Sequence, residues 1–237
     1  MTTLVTGATG FIGWHVCRLL RGGDREVRAL VRSTAKGAEL DDLGVARSEG
    51  NLCDPASLRG ALQGVTSVIH LAGLTKALRH RELFVANEAG TRNLLEAAAS
   101  SAAPPVIVLV SSLAAVGPAN SQALREGDPA NPVSHYGRSK RAGELVAESF
   151  ASLLPITVVR PPIVFGERDR ATLAMFKAIQ QLGVHVIPGL APKYFSLIHA
   201  QDLSQLLVRA VDSGERLPPE KSLATAGTGY FFADSGR

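Results

Sequence analysis

The sequence predicts an α/β fold with a doubly wound parallel sheet, and three observations support this prediction. Short apolar runs alternate with amphipathic segments along most of the 237 residues. A glycine-rich turn joins the first apolar run to the first amphipathic segment. Residues 106–110 are all aliphatic, as expected of a strand that is buried on both faces. Right-handed crossovers between such strands place helices on both faces of one sheet.

The individual elements follow in chain order. The apolar runs predict strands at residues 2–6, 27–31, 65–71, 106–110 and 156–159, with a weak further strand that begins at Val45. Helical spacing predicts helices at residues 11–20, 81–100 and 135–153, and another that starts after Asp54 as N-cap. After Pro161 the pattern loosens. It predicts helices at residues 171–182 and 201–212, and short strands at 196–198 and 229–232.

The composition is that of an ordinary globular protein, with 46% hydrophobic and 19% charged residues. The net charge is +4, but the basic residues are scattered and only 5% of the residues are aromatic, which argues against nucleic-acid binding. We attribute the basic balance to the solvated surface and a pocket for an anionic cofactor. Cys17 and Cys53 lack disulfide or metal-site spacing, and no leader or membrane-spanning run is evident. These features predict a cytoplasmic protein without metal, membrane or nucleic-acid partners.

The turn after the first strand carries glycines at three-residue spacing, at Gly7, Gly10 and Gly13. The first permits a tight turn, the second lets the backbone approach a pyrophosphate, and the third lets the helix pack on the strand. Amides at the start of the helix then point at the phosphate charge. This turn is typical of a Rossmann dinucleotide-binding site, which we predict to contain Gly7, Thr9, Gly10, Phe11, Ile12 and Gly13.

The end of the second strand indicates which dinucleotide binds. NAD sites tend to carry an acidic residue there for the ribose 2′-hydroxyl, whereas this sequence has Arg32. An arginine can pair with a 2′-phosphate and stack on adenine, although an exposed strand-end arginine looks the same in the sequence. We therefore predict NADP(H) in preference to NAD(H). Other candidates for the 2′-phosphate contact are Arg28, Ser33 and Lys36.

Tyr136 and Lys140 lie four residues apart on a predicted helix and project from one face of it. A nearby ammonium favours the tyrosinate form, so that the phenol can exchange a proton with a substrate carbonyl or alcohol. Ser112, which we place at the end of the fifth strand, would hold the substrate oxygen by a hydrogen bond. Each feature alone occurs by chance, but the glycine loop, the serine and the Tyr-Lys pair occur in the required order.

These motifs resemble those of the extended branch of the short-chain dehydrogenases/reductases, the NAD-dependent epimerase/dehydratase-like family. The resemblance extends from the first residues to about Asp202. It rests on TGATGFIG at residues 6–13, VIHLAG at 68–73, NEAGTRNLLE at 87–96, RPPIVFG at 160–166, and FSLIH at 195–199 followed by Asp202. The strand end at Arg32 and the segment around Pro162 are similar to dihydroflavonol-reductase-like and hydroxysteroid-dehydrogenase-like members.

The resemblance implies catalytic roles for four residues. Tyr136 would be the general acid/base, and Lys140 would bind the nicotinamide ribose and lower the Tyr136 pKa. Ser112, in preference to Ser111, would polarise the substrate oxygen. Asn87 would take part in a proton relay near Lys140.

The resemblance also implies further coenzyme contacts. Leu71, Ala72 and Gly73 would line the adenosine side, and Pro162, Ile163 and Val164 would pass near the nicotinamide carboxamide. Asn51 and Leu52 would lie near adenine, where the family usually has Asp-Leu instead. His70, His199 and Asp202 would be structural.

Family members continue well past this sequence, so the C-terminal part is expected to be short, whether the sequence is a fragment or a natural short form. We expect residues 1–165 to form the dinucleotide-binding domain with the catalytic residues. Residues 166–237 would be a small, incomplete substrate-binding part, interleaved with the end of the sheet. The resemblance also implies a homodimer through the helices that carry Asn87 and Tyr136, although core packing accounts for the same apolar residues.

The predicted function is reduction of a ketone or aldehyde by NADPH, or oxidation of the corresponding alcohol. Residues 113–115 after Ser112 provide no acid for a dehydratase, and Arg32 argues against the tightly held NAD of sugar epimerases. A nucleotide-sugar epimerase is the first alternative. A non-catalytic NADP-binding redox sensor is the second, but such sensors tend to lose the Tyr-Lys pair, and this sequence keeps it.

Overall fold

The structure is a computed structural model that describes residues 1–33, 37–119, 123–184, 195–220 and 227–233. Its strands are β1 (Thr2–Thr6), β2 (Glu26–Val31), β3 (Ala46–Glu49), β4 (Ser67–His70), β5 (Val106–Val110), β6 (Ile156–Arg160), β7 (Ile163–Phe165), β8 (Leu197–His199) and β9 (Tyr230–Phe232). Its helices are α1 (Phe11–Gly22), α2 (Pro55–Ala61), α3 (His80–Phe84), α4 (Gly90–Ala99), α5 (His135–Ser149), α6 (Arg170–Leu182) and α7 (Ala200–Ser213). A π-helical turn, Val85–Ala89, joins α3 to α4, and short 3₁₀ turns occur at Ala38–Leu40 and Leu113–Ala115.

The main sheet contains seven parallel strands in the order β3-β2-β1-β4-β5-β6-β9. The sheet grows in one direction from β1 to β3 and in the other from β4 onward. The point where this direction changes lies between β1 and β4, and ligands of such sheets bind there, beyond the carboxyl ends of the strands. The predicted doubly wound parallel sheet is confirmed. A second, two-stranded parallel sheet pairs β7 with β8.

Successive residues of the central strands point to opposite faces, so the sheet supports two hydrophobic cores. In β1, Val5 belongs to the core formed with α1 and α7, whereas Leu4 belongs to the core formed with α2, α4 and α5. In β5, Val108 and Leu109 divide in the same way. Burial on both faces explains why residues 106–110 are aliphatic throughout.

Most predicted helices and strands are present, and the differences have local causes. The π-helical turn interrupts the helix expected at residues 81–100. The sequence did not indicate this interruption, because a single wide turn leaves the apolar spacing on either side intact. The helix expected to reach residue 153 ends at Ser149 with Phe150 as its C-cap. Ser112 does not end β5: it lies two residues beyond Val110 and caps the 3₁₀ turn that follows. The three-residue strand β7 was not predicted.

The last part of the chain contributes to both sheets. Strand β8 pairs with β7, helix α7 belongs to the same core as α1, and β9 pairs with β6 at the edge of the main sheet. Part of residues 166–237 therefore completes the main sheet. Among the described residues, no helix has the length and apolar character that crossing a bilayer requires.

Candidate active site

The glycine loop between β1 and α1 leaves room for a ligand at the helix N-terminus. Gly7 has a φ of +71°, and a Cβ there would lie 2.8 Å from the Ala72 nitrogen. A Cβ on Gly13 would lie 2.2 Å from the Gly7 oxygen. Gly10 is the N-cap of α1 and provides no side-chain acceptor for the first amides of the helix. These N–H groups therefore point out of the helix end and can receive an anion, which is the fit that a dinucleotide pyrophosphate requires.

Ser112, Tyr136 and Lys140 meet at the carboxyl ends of the central strands. Ser112 is close enough to Tyr136 for the interaction of their side chains to act on the Tyr136 pKa. Ser112 Oγ accepts a hydrogen bond from the Ala114 amide at 3.2 Å, which leaves its hydroxyl hydrogen to donate elsewhere. The buried Lys140 Nζ donates to the Val110 carbonyl at 2.7 Å. Adjacent Ser111 donates its hydroxyl hydrogen to Glu144, and the choice of Ser112 over Ser111 stays a prediction.

Burial shifts the proton affinities of both ionisable groups. It raises the pKa of Tyr136, and the interaction with Ser112 acts in the opposite direction. Burial also lowers the pKa of Lys140 to about 8, while the negative charge of Glu144 acts to raise it. The expectation that the Tyr136 pKa would be lowered is therefore not met in this structure, because loss of solvent outweighs the favourable interactions of the phenolate.

Asn87 lies in the π-helical turn, and turns of this kind are frequent at functional sites. Its amide donates to the Leu74 carbonyl (2.9 Å) and to Ser139 Oγ (2.8 Å), and its Oδ1 accepts from the Leu74 amide (2.9 Å). A Cβ on Gly73 would approach Asn87 Oδ1 to 2.5 Å, so this segment needs a glycine. The side chain fixes the loop after β4 against α5, and its part in a proton relay stays a prediction.

The residues predicted for the adenosine side follow β2, β3 and β4. Arg32 is exposed at the end of β2, whereas the Arg28 guanidinium donates to the carbonyls of Ala61 (2.7 Å) and Gln63 (2.8 Å). Asn51 Oδ1 accepts from the Cys53 amide at 3.0 Å, and the Leu52 carbonyl accepts from Asn93 at 2.7 Å. Lys36 lies outside the described residues.

A cleft of about 1170 Å³ runs from Ile12 at the start of α1 to Ser112, Tyr136 and Lys140. The predicted coenzyme and catalytic residues that line it are Ile12, Leu71, Gly73, Asn87, Ser112, Tyr136, Lys140, Pro162, Ile163 and Val164. Its further walls are mainly apolar: Leu74, Leu113, Ala119, Leu124, Phe195, Phe232 and Ala233, together with Thr75, Arg125 and Glu126. The loop after β4 supplies Leu74 and Thr75, the segment after β5 supplies Leu113, Ala119, Leu124, Arg125 and Glu126, and Phe195 precedes β8. Phe232 and Ala233 reach the cleft through the pairing of β9 with β6, which no local motif indicates.

Three other residues were expected to have structural roles, and their contacts are as follows. His70 is buried, with Nδ1 2.6 Å from Thr6 Oγ1 and Nε2 3.1 Å from Thr91 Oγ1. His199 caps α7 by accepting from the Gln201 amide, and its ring packs edge-on against Phe165. Asp202 is exposed in the first turn of α7. The described residues contain no group of three or more His, Cys, Asp or Glu side chains arranged to hold a metal.

The sequence model of the NAD dependent epimerase/dehydratase family matches residues 3–223. The chain belongs to this family. The match confirms the resemblance to extended short-chain dehydrogenases/reductases, which are NAD(P)-dependent enzymes, and it spans the glycine loop, Ser112 and the Tyr136-Lys140 helix.

Relatives within the epimerase/dehydratase family include reductases. The chain is 33% identical to sterol demethylase protein B of Methylococcus capsulatus over 91% of this chain and 67% of that protein. It is 35% identical to ceramide reductase of Caulobacter vibrioides over 86% of this chain and 59% of that protein. The chain thus spans about two thirds or less of the length of these relatives. MoeE5, solved with UDP-glucuronic acid and NAD, superposes with a TM-score of 0.80 at 27% identity, over 100% of this chain and 77% of that one.

Proposed function

We propose that this chain reduces the carbonyl group of a ketone or aldehyde with NADPH, or oxidises the corresponding alcohol. The observation that carries the proposal is the closeness of Tyr136 to Ser112 in a cleft that begins at the glycine loop and also contains Lys140. The nicotinamide, when bound, supplies or accepts the hydride. The chain itself has to bind the carbonyl, hold its oxygen and provide a proton.

The proposed residues divide this work by their position. Ser112 donates its hydroxyl hydrogen to the substrate oxygen and stabilises the negative charge that develops there. Tyr136 gives its phenolic proton to the same oxygen, and its raised pKa keeps that proton in place at neutral pH. Lys140, held by the Val110 carbonyl, presents a positive charge to the coenzyme ribose and to Tyr136. Pro162, Ile163 and Val164 would enclose the nicotinamide.

NADP(H) is the coenzyme that we propose, on the basis of Arg32. Arg28 donates to carbonyl groups of a neighbouring segment, so it is a weaker candidate for the 2′-phosphate than the exposed Arg32. Gly7, Gly10 and Gly13 would accommodate the pyrophosphate in either coenzyme, and Asn51 and Leu52 would lie near adenine.

The substrate that we propose has a largely apolar body. Leu74, Leu113, Leu124 and Phe232 form apolar walls around the site of Ser112 and Tyr136. Burial of apolar surface against such walls contributes binding energy without requiring a charged group on the substrate. The ceramide reductase relative, named for a lipid, supports this choice.

Replacement of Tyr136 tests the proposal. Tyr136→Phe removes the proton donor and leaves the ring, so we expect turnover of apolar ketones, followed by NADPH absorbance, to fall roughly 100- to 10,000-fold. The dissociation constant of NADPH, measured by nicotinamide fluorescence, should stay unchanged. Tyr230→Phe is the matched control, because the Tyr230 hydroxyl donates to Glu148 instead. Equal turnover in wild type and Tyr136→Phe would exclude this role for Tyr136.

A nucleotide-sugar epimerase is the second candidate, because MoeE5 was solved with UDP-glucuronic acid and NAD. An epimerase would convert a nucleotide sugar without net consumption of NADPH. NADPH binding with turnover of neither substrate class would favour the non-catalytic sensor.

A further inference from the structure

A buried group of charged side chains adjoins the proposed active site and is not used by the proposed chemistry. Glu144 lies on α5 one turn after Lys140 and is fully buried. Its Oε1 accepts hydrogen bonds from Ser111 Oγ (2.5 Å) and from Arg160 Nε (2.9 Å). Its Oε2 accepts from Arg160 Nη2 (2.8 Å) and from Arg141 Nη1 (3.0 Å). Burying a carboxylate is costly, and these four donors offset that cost.

The partners of Glu144 lie next to residues that line the cleft. Ser111 directly precedes Ser112, and Arg160 ends β6 directly before the Pro161-Pro162 segment. Helix α5 itself carries Tyr136 and Lys140. One carboxylate therefore connects the three segments whose relative positions determine the geometry of the proposed site.

Glu144 also contributes to the electrostatic surroundings of Lys140. Among the described residues, Glu144 on the same helix and His70 on β4 interact electrostatically with Lys140, and Tyr136 lines the same cleft. His70 is uncharged at neutral pH, because burial and the charge of Lys140 lower its pKa to about 3. Tyr136, with its raised pKa, is uncharged as well. Glu144, a carboxylate paired with Arg141 and Arg160, is thus the source of negative charge in this group.

We propose that Glu144 is a positioning residue that fixes Ser112 relative to Tyr136 and keeps Lys140 in its ammonium form. The positioning part rests on the proposed function, because its effect is measured as turnover. The charge part concerns the free protein and can be measured without substrate or coenzyme.

The charge part is tested by titrating Lys140 in the full chain. Lysine labelled with ¹³C at Cε reports the titration by NMR, and the loss of one resonance in Lys140→Arg assigns the signal. The Lys140 pKa, about 8 in the wild type, should fall by roughly one pH unit in Glu144→Gln, because the substitution removes a nearby negative charge with little change in volume. Glu148→Gln is the matched control, since Glu148 pairs with Arg141 and Tyr230. An unchanged midpoint in Glu144→Gln would overturn the charge part.

Two further variants separate position from charge. Ser111→Ala keeps the Glu144–Arg160 pair but releases the residue that precedes Ser112. We expect turnover to fall roughly ten- to a hundredfold while the Lys140 midpoint and the NADPH dissociation constant stay constant. Glu144→Asp keeps the charge with a shorter reach, so it should preserve the Lys140 midpoint and lower turnover. Where Glu144→Gln fails to fold, Ser111→Ala and Glu144→Asp still test the positioning part through turnover.

The outcomes distinguish this inference from the proposed function. Unchanged turnover in both Ser111→Ala and Glu144→Asp would overturn the positioning part. Absence of carbonyl reduction by the wild type would contradict the proposed function, while the Lys140 titration would still decide the charge part.

Discussion

Burial shifts the pKa values of Tyr136 and Lys140 in the candidate site, but each keeps at neutral pH the form that it has in water. A phenol whose pKa is raised keeps its proton at neutral pH, so Tyr136 is prepared to act as an acid. This state suits reduction of a carbonyl, in which the oxygen gains a proton. Lys140, with a pKa of about 8, is still mostly an ammonium at neutral pH, although burial has removed much of its preference for that form.

Coenzyme preference is also determined at the scale of single residues. Arg32→Gln should raise the dissociation constant of NADPH at least about tenfold and leave that of NADH nearly unchanged, because only NADPH has a 2′-phosphate. Titration by nicotinamide fluorescence measures both constants. The matched control is Arg28→Gln, which removes an arginine whose guanidinium contacts Ala61 and Gln63. An unchanged preference for NADPH in Arg32→Gln would move the 2′-phosphate contact to another residue.

The site residues that the sequence places near one another are those that depend on local spacing. Gly7, Gly10 and Gly13 lie within one turn, and Tyr136 and Lys140 lie within one helix, so the sequence displays their spacing directly. Arg160 and Glu144 lie 16 positions apart on different elements, and only the packing of α5 against β6 brings them together. The sequence shows a glutamate one turn after the lysine, but an exposed helix surface has the same spacing, so the buried contact with Arg160 could not be predicted from it.

At the scale of elements, the start of α1 is a tightly constrained part of the site. Gly13→Ala would place a Cβ 2.2 Å from the Gly7 oxygen and force the helix away from the loop. We expect a loss of about 1–3 kcal/mol in the free energy of unfolding and a large loss of NADPH affinity. Gly22→Ala is the matched control in the same helix, because a Cβ there meets nothing within 4 Å.

The two substitutions should change the free energy of unfolding in opposite directions. Gly22→Ala should raise the free energy of unfolding, by up to about 0.5–1 kcal/mol, since alanine loses less backbone entropy than glycine. Urea unfolding and nicotinamide fluorescence measure the two effects. Normal NADPH affinity in Gly13→Ala would contradict the assignment of the loop to the pyrophosphate.

Prediction of elements succeeded where the apolar pattern was long and failed where it was short or uniform. The strands of the main sheet are recognisable because burial on both faces leaves aliphatic runs such as Val106–Val110. Strand β7 has only three residues and follows two prolines, so no periodicity could be measured. The end of α5 was placed too late, because residues 150–153 continue an apolar pattern in a turn.

At the scale of the whole molecule, the buried His70 makes stability depend on pH. Its pKa is about 3 in the folded chain and near 6.5 in the unfolded chain, so between these values the unfolded chain binds more protons. The free energy of unfolding should therefore fall as the pH is lowered from about 6.5 toward 3.

Urea unfolding at pH 6.5 and 4.5 measures this dependence. The His70 contribution should amount to roughly 2–3 kcal/mol over that interval. His70→Gln removes the titrating group and should lose this part of the pH dependence, whereas the exposed His80→Gln should retain it. The same dependence in His70→Gln and wild type would assign it to other groups.

The pairing of β9 with β6 has a consequence for the order in which the protein becomes competent during synthesis. The glycine loop, Arg32 and the strands around them are synthesised before β9. Phe232 and Ala233 line the cleft only after β9 has joined β6, whose Val158 pairs with Tyr230 across 230 − 158 = 72 positions. The edge of the cleft that Phe232 and Ala233 form is therefore absent until the other strands of the main sheet have been synthesised.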